Sequence, residues 1–312
     1  MKAYYFQNGD VLPAFGLGTW LSKKDEVYNA VLEAIRIGYR HIDCAYIYGN
    51  EKEIGRALRF AFESGMVTRE ELFITSKLWN SYHKPNEVEI AIRTSLIDLQ
   101  LEYLDLYLMH WPIAFKTGRD QARDASDLLS LEEMPVEVTW HAMERTQQMG
   151  LTKHLGVSNF NIPKLQRLMQ HANIQPEVNQ IELHPYFQQP ELVQFCQANW
   201  MIVTAYSPLG SRHLINGEDS ITNNGTVLKI AEKHVCLPTQ VLLAWGMMRG
   251  TAVIPKSVNP ARIAENFEST SVVLDELDME ALAKIDRNSR LAKGLYSVFP
   301  GGCYSLESIW NE

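Results

Sequence analysis

The fold class this sequence predicts is α/β: a (β/α)8 TIM-type barrel preceded by a small β-hairpin. Three observations predict it. Eight short apolar runs recur along the 312 residues, stretches of helical spacing separate them, and no Gly-x-Gly-x-x-Gly turn joins any run to a helix. The length would also suit two average domains, but barrels routinely occupy it as one unit, so a single domain over 1–312 is expected.

In chain order, Asn8-Gly9 is a two-residue turn signal between residues 3–6 and 11–15, which predicts the hairpin. The strand-like runs follow at 15–18, 41–42, 72–75, 104–109, 153–157, 177–180, 202–205 and 252–254. Between them lie helical patterns such as Val27, Ala30, Val31, Ala34, then Ile54, Ala57, Leu58, Ala61, then Val88, Ala91, Ile92, Leu96, Leu99. Each pattern offers one apolar face to a sheet. Repeated β-then-α units imply parallel strands, and closure into a barrel removes both sheet edges. A doubly wound sheet is the alternative. Against it, Gly16-Leu17-Gly18 runs into Thr19-Trp20 instead of opening a phosphate-binding helix.

Two segments exceed a minimal barrel: residues 112–135 after the fourth strand, and the aromatic, Gly-containing tail 288–312. Loops of this length overhang the strand ends where barrel enzymes work, so both are read as walls of a substrate pocket, with surface decoration as the alternative.

Composition narrows the function classes. The chain is 46% hydrophobic and 21% charged, a globular profile. Its 29 basic and 37 acidic residues leave a net charge of −8 with no long Lys/Arg run, which argues against nucleic acid as a partner. The first residues, Met1-Lys2-Ala3-Tyr4-Tyr5-Phe6, reach polar Gln7-Asn8-Gly9-Asp10 too soon for a signal-peptide core, and no stretch has membrane-spanning length. A cytoplasmic location is expected. Cys44, Cys196, Cys236 and Cys303 are widely spaced, which suits free thiols better than disulfides or a zinc site, and no metal is expected.

Ionisable residues gather at the predicted C-terminal ends of early strands: Asp43 after the second, Tyr48 in the next loop, Lys77 after the third and His110 after the fourth. Taken singly, Asp43 could cap a turn, Tyr48 could pack, Lys77 could be solvated and His110 could be a satisfied core histidine. In a barrel, however, those ends share one rim. A buried ammonium there would lower the pKa of a neighbouring phenol while a carboxylate holds the ammonium charged, an arrangement for proton transfer.

These residues lie in segments that resemble the aldo-keto reductase family: Gly38-Tyr39-Arg40-His41-Ile42-Asp43-Cys44-Ala45-Tyr46-Ile47-Tyr48-Gly49-Asn50-Glu51, Leu101-Glu102-Tyr103-Leu104-Asp105-Leu106-Tyr107-Leu108-Met109-His110-Trp111-Pro112 and Ile254-Pro255-Lys256-Ser257. The match runs from Leu12 to about Ile285 and takes in Gly156-Val157-Ser158-Asn159-Phe160, Asn179-Gln180-Ile181-Glu182 and Ala205-Tyr206-Ser207-Pro208-Leu209 in order.

The resemblance implies an NADPH-dependent oxidoreductase that reduces small aldehydes and ketones. Tyr48 would be the general acid, Lys77 its pKa modulator, Asp43 the Lys77 partner and His110 the group that orients the substrate carbonyl. Moving a phenol from about 10 toward neutrality by two or three units takes about 3 to 4 kcal/mol of phenolate stabilisation, within reach of one close, desolvated ammonium. The resemblance further implies that Ser158, Asn159 and Gln180 hold the carboxamide and Tyr206 stacks on the nicotinamide. Gly18, Thr19, Trp20 and Asp43 would lie beside the cofactor, with Ser207, Leu209 and Ser211 along the pyrophosphate. For these Ser and Asn residues a turn-forming role is also open.

After Lys256-Ser257, Asn259 is a good N-cap and Pro260 suits a first helical position. Lys256 and Arg262 beside the N-terminal amides of such a helix would suit a dianionic phosphate, which the family places there as the adenosine 2′-phosphate. Ser257 belongs to the same motif, and Glu265 and Asn266 match adenine contacts. Trp20, Trp79 and Trp111 follow the first, third and fourth strands and could line the substrate pocket, although Trp79 fits core packing equally well. The resemblance also implies a monomer. Two alternatives stay open: a non-catalytic nucleotide-binding sensor or channel-associated subunit, and an enzyme working mainly as an alcohol or hydroxysteroid dehydrogenase. Residues 297–304, with Phe299-Pro300-Gly301-Gly302-Cys303, depart most plainly from the family pattern.

Overall fold

The computed structural model describes residues 2–211 and 220–310. Strands β1 (Ala3–Tyr5) and β2 (Val11–Pro13) pair antiparallel. There follow β3 (Leu17–Gly18), β4 (His41–Asp43), β5 (Phe73–Leu78) and β6 (Leu104–Met109). The loop after β6 carries a short antiparallel pair, β7 (Ala114–Phe115) and β8 (Leu128–Leu129). The last four strands are β9 (Thr152–Ser158), β10 (Val178–Glu182), β11 (Ile202–Tyr206) and β12 (Thr251–Val253).

Eight of these form one parallel sheet in the order β3-β4-β5-β6-β9-β10-β11-β12. Its two ends meet. The Gly16 amide donates to Val253 O at 2.9 Å, Val253 N to Ala14 O at 2.9 Å and Gly18 N to Pro255 O at 3.0 Å, with parallel bridges Phe15 to Val253 and Gly18 to Lys256. The sheet is therefore a closed (β/α)8 barrel and the doubly wound alternative falls. This seam also explains Gly16 and Gly18. A Cβ on Gly16 would lie 2.7 Å from the His41 ring, and one on Gly18 would lie 2.7 Å from Ile254 O.

Strands buried on both faces read as continuous apolar runs, which is why they stand out in the sequence. Leu106 and Leu108 of β6 join a cluster with Phe73, Val178, Ile202 and Ala252, while Leu104, Tyr107 and Met109 join the larger cluster with the helices. The predicted faces of α1 (Lys24–Ile37), α2 (Glu51–Glu63) and α3 (Val88–Leu99) are all buried in that second cluster.

The hairpin closes the end of the barrel opposite the site. Phe6 and Leu12 pack with the first cluster, and Phe6 stacks on His154 at 3.6 Å between ring centroids. His154 sits between Asp10 (3.0 Å) and Glu177 (2.9 Å), so the hairpin is tied to β9 by hydrogen bonding as well as by packing. The turn differs from the expected two-residue form. Tyr5 pairs with Val11 and Phe6 N donates to Asp10 O, leaving Gln7, Asn8 and Gly9 as a three-residue loop with Gly9 at φ +91°. The added left-handed residue suits the twist of the paired strands.

Strand limits shift too. Asp43 and Lys77 lie within β4 and β5 rather than after them, because each polar side chain is satisfied by the other across the sheet. No helix among the described residues is long and apolar enough to cross a membrane, and the four cysteines are free.

Candidate active site

The C-terminal ends of β4, β5 and β6 bring Asp43, Tyr48, Lys77 and His110 to one rim. Lys77 is fully enclosed, and its ammonium donates to Asp43 Oδ2 at 2.7 Å, to Cys44 O at 2.8 Å and to the Tyr48 hydroxyl at 3.4 Å. A buried ion pair needs such a complete set of partners, since removing one side of it costs about 3 to 5 kcal/mol. Asp43 receives a second bond at Oδ1 from Gln180 Nε2 (2.8 Å), and its carbonyl accepts from Thr19 Oγ1 (2.7 Å). Asn50 Nδ2 bonds Thr19 O and Ser22 O, which fixes the segment after β3 to the turn that carries Tyr48.

Tyr48 ends the 3-10 turn Tyr46–Tyr48, with its ring edge-on to His110 at 5.8 Å. Its oxygen accepts from Lys77, while its own O–H donates to no group among the described residues. The His110 ring likewise makes no hydrogen bond among the described residues, and its buried Nδ1 is without a partner there. Burial, reinforced by the Lys77 charge, holds this imidazole well below the usual histidine range, so it is neutral. A neutral ring can donate one hydrogen bond to a carbonyl oxygen.

The expected lowering of the Tyr48 pKa by Lys77 is not found. Burial, with Asp43 next, pushes the phenol well above its ordinary value. The physical reason lies in the pairing: Asp43 at 2.7 Å matches the Lys77 charge, so Tyr48 faces a dipole instead of a bare ammonium.

The predicted carboxamide residues form a connected set on β9 to β11. Ser158 Oγ donates to Gln180 O (2.8 Å), Asn159 Nδ2 donates to Ser158 Oγ (3.1 Å) and His110 O (2.9 Å), and the Tyr206 hydroxyl donates to Asn159 Oδ1 (2.7 Å). Ser207, Leu209 and Ser211 follow Tyr206, with Ser207 and Ser211 at φ 50° and 37°; residues 212–219 lie outside the described residues.

Past β12, the helix Pro260–Glu268 begins as expected, with the Asn259 side chain accepting from Arg262 N and Pro in its first turn. Lys256 and Arg262 are exposed beside this start and form no ion pair among the described residues, while Ser257 and Asn266 are buried. Glu265 contributes its carbonyl to Gln240. These residues lie around the rim from the four, along the consecutive ends of β9 to β12.

The aromatic residues divide. Trp20 stands out from the rim, 45% exposed, whereas Trp79 and Trp111 are buried in a third cluster with Ile113, Phe115, Leu128, Tyr304, Ile309 and Trp310. Trp79 is packed into this core yet also reaches the rim: it stacks on Tyr296 (5.9 Å) and meets His110 edge-on (5.1 Å). The same cluster joins the loop 112–135 to the tail, of which residues 311–312 lie outside the described residues. The sequence assigns no role to Tyr296 or Phe115, nor to Glu182, which appears there only as the end of a matched segment. Glu182, fully enclosed, accepts from His184 Nε2 and from the Leu291 and Ala292 amides, and so clamps the tail to the end of β10. Only its place two residues after Gln180 could have drawn notice.

Comparison with known proteins agrees with this architecture. A model described as the Aldo/keto reductase family matches residues 14–287. An aldo/keto reductase of Synechocystis sp. is 44% identical over 317 aligned residues, covering 100% of this chain and 97% of that protein. Aldo-keto reductase family 1 member A1 of Mus musculus is 45% identical over 297 residues, covering 93% and 91%. The solved aldose reductase of Schistosoma japonicum superposes with a TM-score of 0.88 at 42% identity, covering 95% of this chain and 96% of that one. The chain is an oxidoreductase that belongs to the aldo/keto reductase family.

Proposed function

We propose that this protein is an NADPH-dependent reductase of aldehydes and ketones, with Tyr48 as general acid. One observation carries the proposal: Tyr48 accepts from a buried, Asp43-paired Lys77 and donates its own proton to no group among the described residues, beside a neutral His110 whose ring nitrogens are equally free of hydrogen bonds there.

The donor set fits a nicotinamide dinucleotide. Ser158, Asn159 and Gln180 would hold the carboxamide, and Tyr206, pinned through Asn159, would offer its ring to the nicotinamide. Ser207, Leu209 and Ser211 would follow the pyrophosphate, with Gly18, Thr19 and Trp20 on the facing rim. Lys256 and Arg262, two cations at a capped helix start with no ion pair among the described residues, suit a phosphate dianion, with Ser257 beside them and Glu265 and Asn266 toward adenine. This favours NADPH over NADH. Bound cofactor would supply the hydride.

The protein's own residues do the rest. His110 donates to the substrate carbonyl oxygen and orients it. Tyr48 then delivers its proton to the same oxygen as negative charge develops there, and Lys77, fixed by its pairing with Asp43, stabilises the phenolate left behind. Trp79 and Trp111, backed by the tail, exclude water from one side, and exposed Trp20 flanks the other.

The test is NADPH oxidation against a panel of small dicarbonyls, aromatic aldehydes, sugars and steroids. Steady turnover with at least one class is expected, and binding of NADPH without turnover on any would favour a nucleotide sensor instead.

A further inference from the structure

The loop 112–135 is held by two acids with different tasks. Asp127 is buried and serves the loop itself: Arg123 reaches it through its amide N (3.1 Å) and Nε (3.0 Å), and Arg119 Nε lies 3.2 Å away. Asp120 makes its side-chain contacts outside the loop. The stretch from Lys116 to Arg119 is exposed, but Asp120 turns inward and is half-buried. Its Oδ1 accepts from Ser81 Oγ (2.7 Å), its Oδ2 accepts from the Tyr46 hydroxyl (3.0 Å) and its carbonyl accepts from Trp79 Nε1 (2.7 Å). Tyr46 is further braced by Tyr82, whose hydroxyl donates to it at 3.2 Å with the rings edge-on at 5.2 Å.

Those three donors come from two rim segments that matter to the chemistry. Tyr46 opens the 3-10 turn that ends in Tyr48, and Trp79 with Ser81 leads from β5 into the turn Asn80–Tyr82. Trp79 has no freedom to choose its orientation: its indole N–H is fixed to Asp120 O, one face stacks on Tyr296, and its ring meets His110 edge-on. By contrast, the bonds of Lys77 to Asp43, Cys44 and Tyr48 involve no atom of the loop. Loss of the Asp120 carboxylate would free Ser81 and Tyr46 and leave the segment held to Trp79 by its backbone carbonyl alone, loosening the wall of the carbonyl pocket while the proton-transfer pair stays intact.

We propose that Asp120 is a positioning residue, a latch that fastens the loop 112–135 to the turns carrying Tyr48 and Trp79 and so sets the shape of the carbonyl pocket. Its catalytic consequence rests on the reading of this site as a carbonyl reductase; the latch itself does not. The distinction separates the two in experiment.

The variants are Asp120→Ala and, as a control for general loosening of the loop, Asp127→Asn. With an aromatic aldehyde that the wild type reduces, D120A is expected to raise KM about 10-fold or more, with kcat within about three-fold, as misplacement of a pocket wall acts on binding geometry. NADPH affinity, read by quenching of tryptophan fluorescence, stays within about two-fold, because none of the cofactor residues touches Asp120. D127N should change KM far less, since it leaves both bonds to the Asp120 carboxylate in place. A D120A variant with unchanged KM, or one whose loss D127N reproduces, overturns the latch while leaving the reductase reading standing.

Hydrogen exchange on the ligand-free protein decides the latch without any turnover. Faster exchange at residues 116–123 in D120A, with β5 and β6 unchanged, is expected, and unchanged exchange there overturns the proposal. If the wild type turned over no carbonyl compound, the reductase reading would fail, and this exchange result alone would decide the latch.

Discussion

Replacing Glu51 by Gln should make the protein more stable at pH 8 and leave it unchanged at pH 4. Glu51 opens α2 and is 3% exposed, with Ser76 Oγ donating at 2.6 Å to one oxygen and Ser95 Oγ at 2.8 Å to the other. Burial is the main influence on its carboxyl, and it raises the pKa from 4.5 to about 7. Between those values the folded protein holds the proton and the unfolded chain does not. Stability therefore falls as pH rises through the interval, by about 1.4 kcal/mol per pH unit, or roughly 3 kcal/mol in all. Below the unfolded value both states are protonated and nothing is lost. A glutamine keeps the shape and both contacts, with its carbonyl accepting from one serine and its amide donating to the other. It cannot ionise. Urea unfolding of wild type and E51Q at pH 4, 6 and 8 should show a stability difference that opens with pH and reaches roughly 3 kcal/mol at pH 8. A difference that stays constant with pH, or that favours the wild type at pH 8, would refute the reasoning.

Two other predictions concern the site. Arg262→Ala should weaken NADPH binding by about 10-fold or more while barely changing NADH binding, as judged by titrating each cofactor, and equal losses for both would remove the argument for a phosphate at that helix. The chemical step of carbonyl reduction, followed by stopped flow, should be nearly flat between about pH 6.5 and 9. Tyr48 must be protonated and its pKa is raised, so its proton is lost only in strong alkali; His110 must be neutral and its pKa is lowered, so it charges only in acid. A midpoint near pH 8 would show instead that Lys77 prevails over burial and Asp43.

Much of the fold is visible in the sequence for a physical reason. Barrel strands are apolar on both faces, so the run at Leu104–Met109 coincides with its strand. The strands at Asp43 and Lys77 run past their predicted ends because a polar side chain paired across the sheet looks, in one dimension, like the start of a loop. The four rim residues could be picked out because each sits at or just beyond the C-terminal end of a strand, and those ends share a face. What stayed hidden are pairings between distant segments. Glu182 holds Leu291 and Ala292, Asp120 holds Tyr46 and Ser81, and Tyr296 stacks on Trp79, with no local pattern to announce any of them. The direction of the Tyr48 pKa was misjudged for the same reason: residue types put an ammonium near the phenol, but only the 2.7 Å contact with Asp43 shows how far its charge is already matched.

The central claim is that the unshared proton of Tyr48 is the one delivered to the substrate oxygen, and Tyr48→Phe tests it most directly. That substitution removes one oxygen and leaves Lys77 with Asp43 and Cys44 as partners. Single-turnover reduction of an aldehyde should fall by a factor of about 100 or more, while the dissociation constant for NADPH stays within about two-fold. Retention of most of the single-turnover rate would contradict the account.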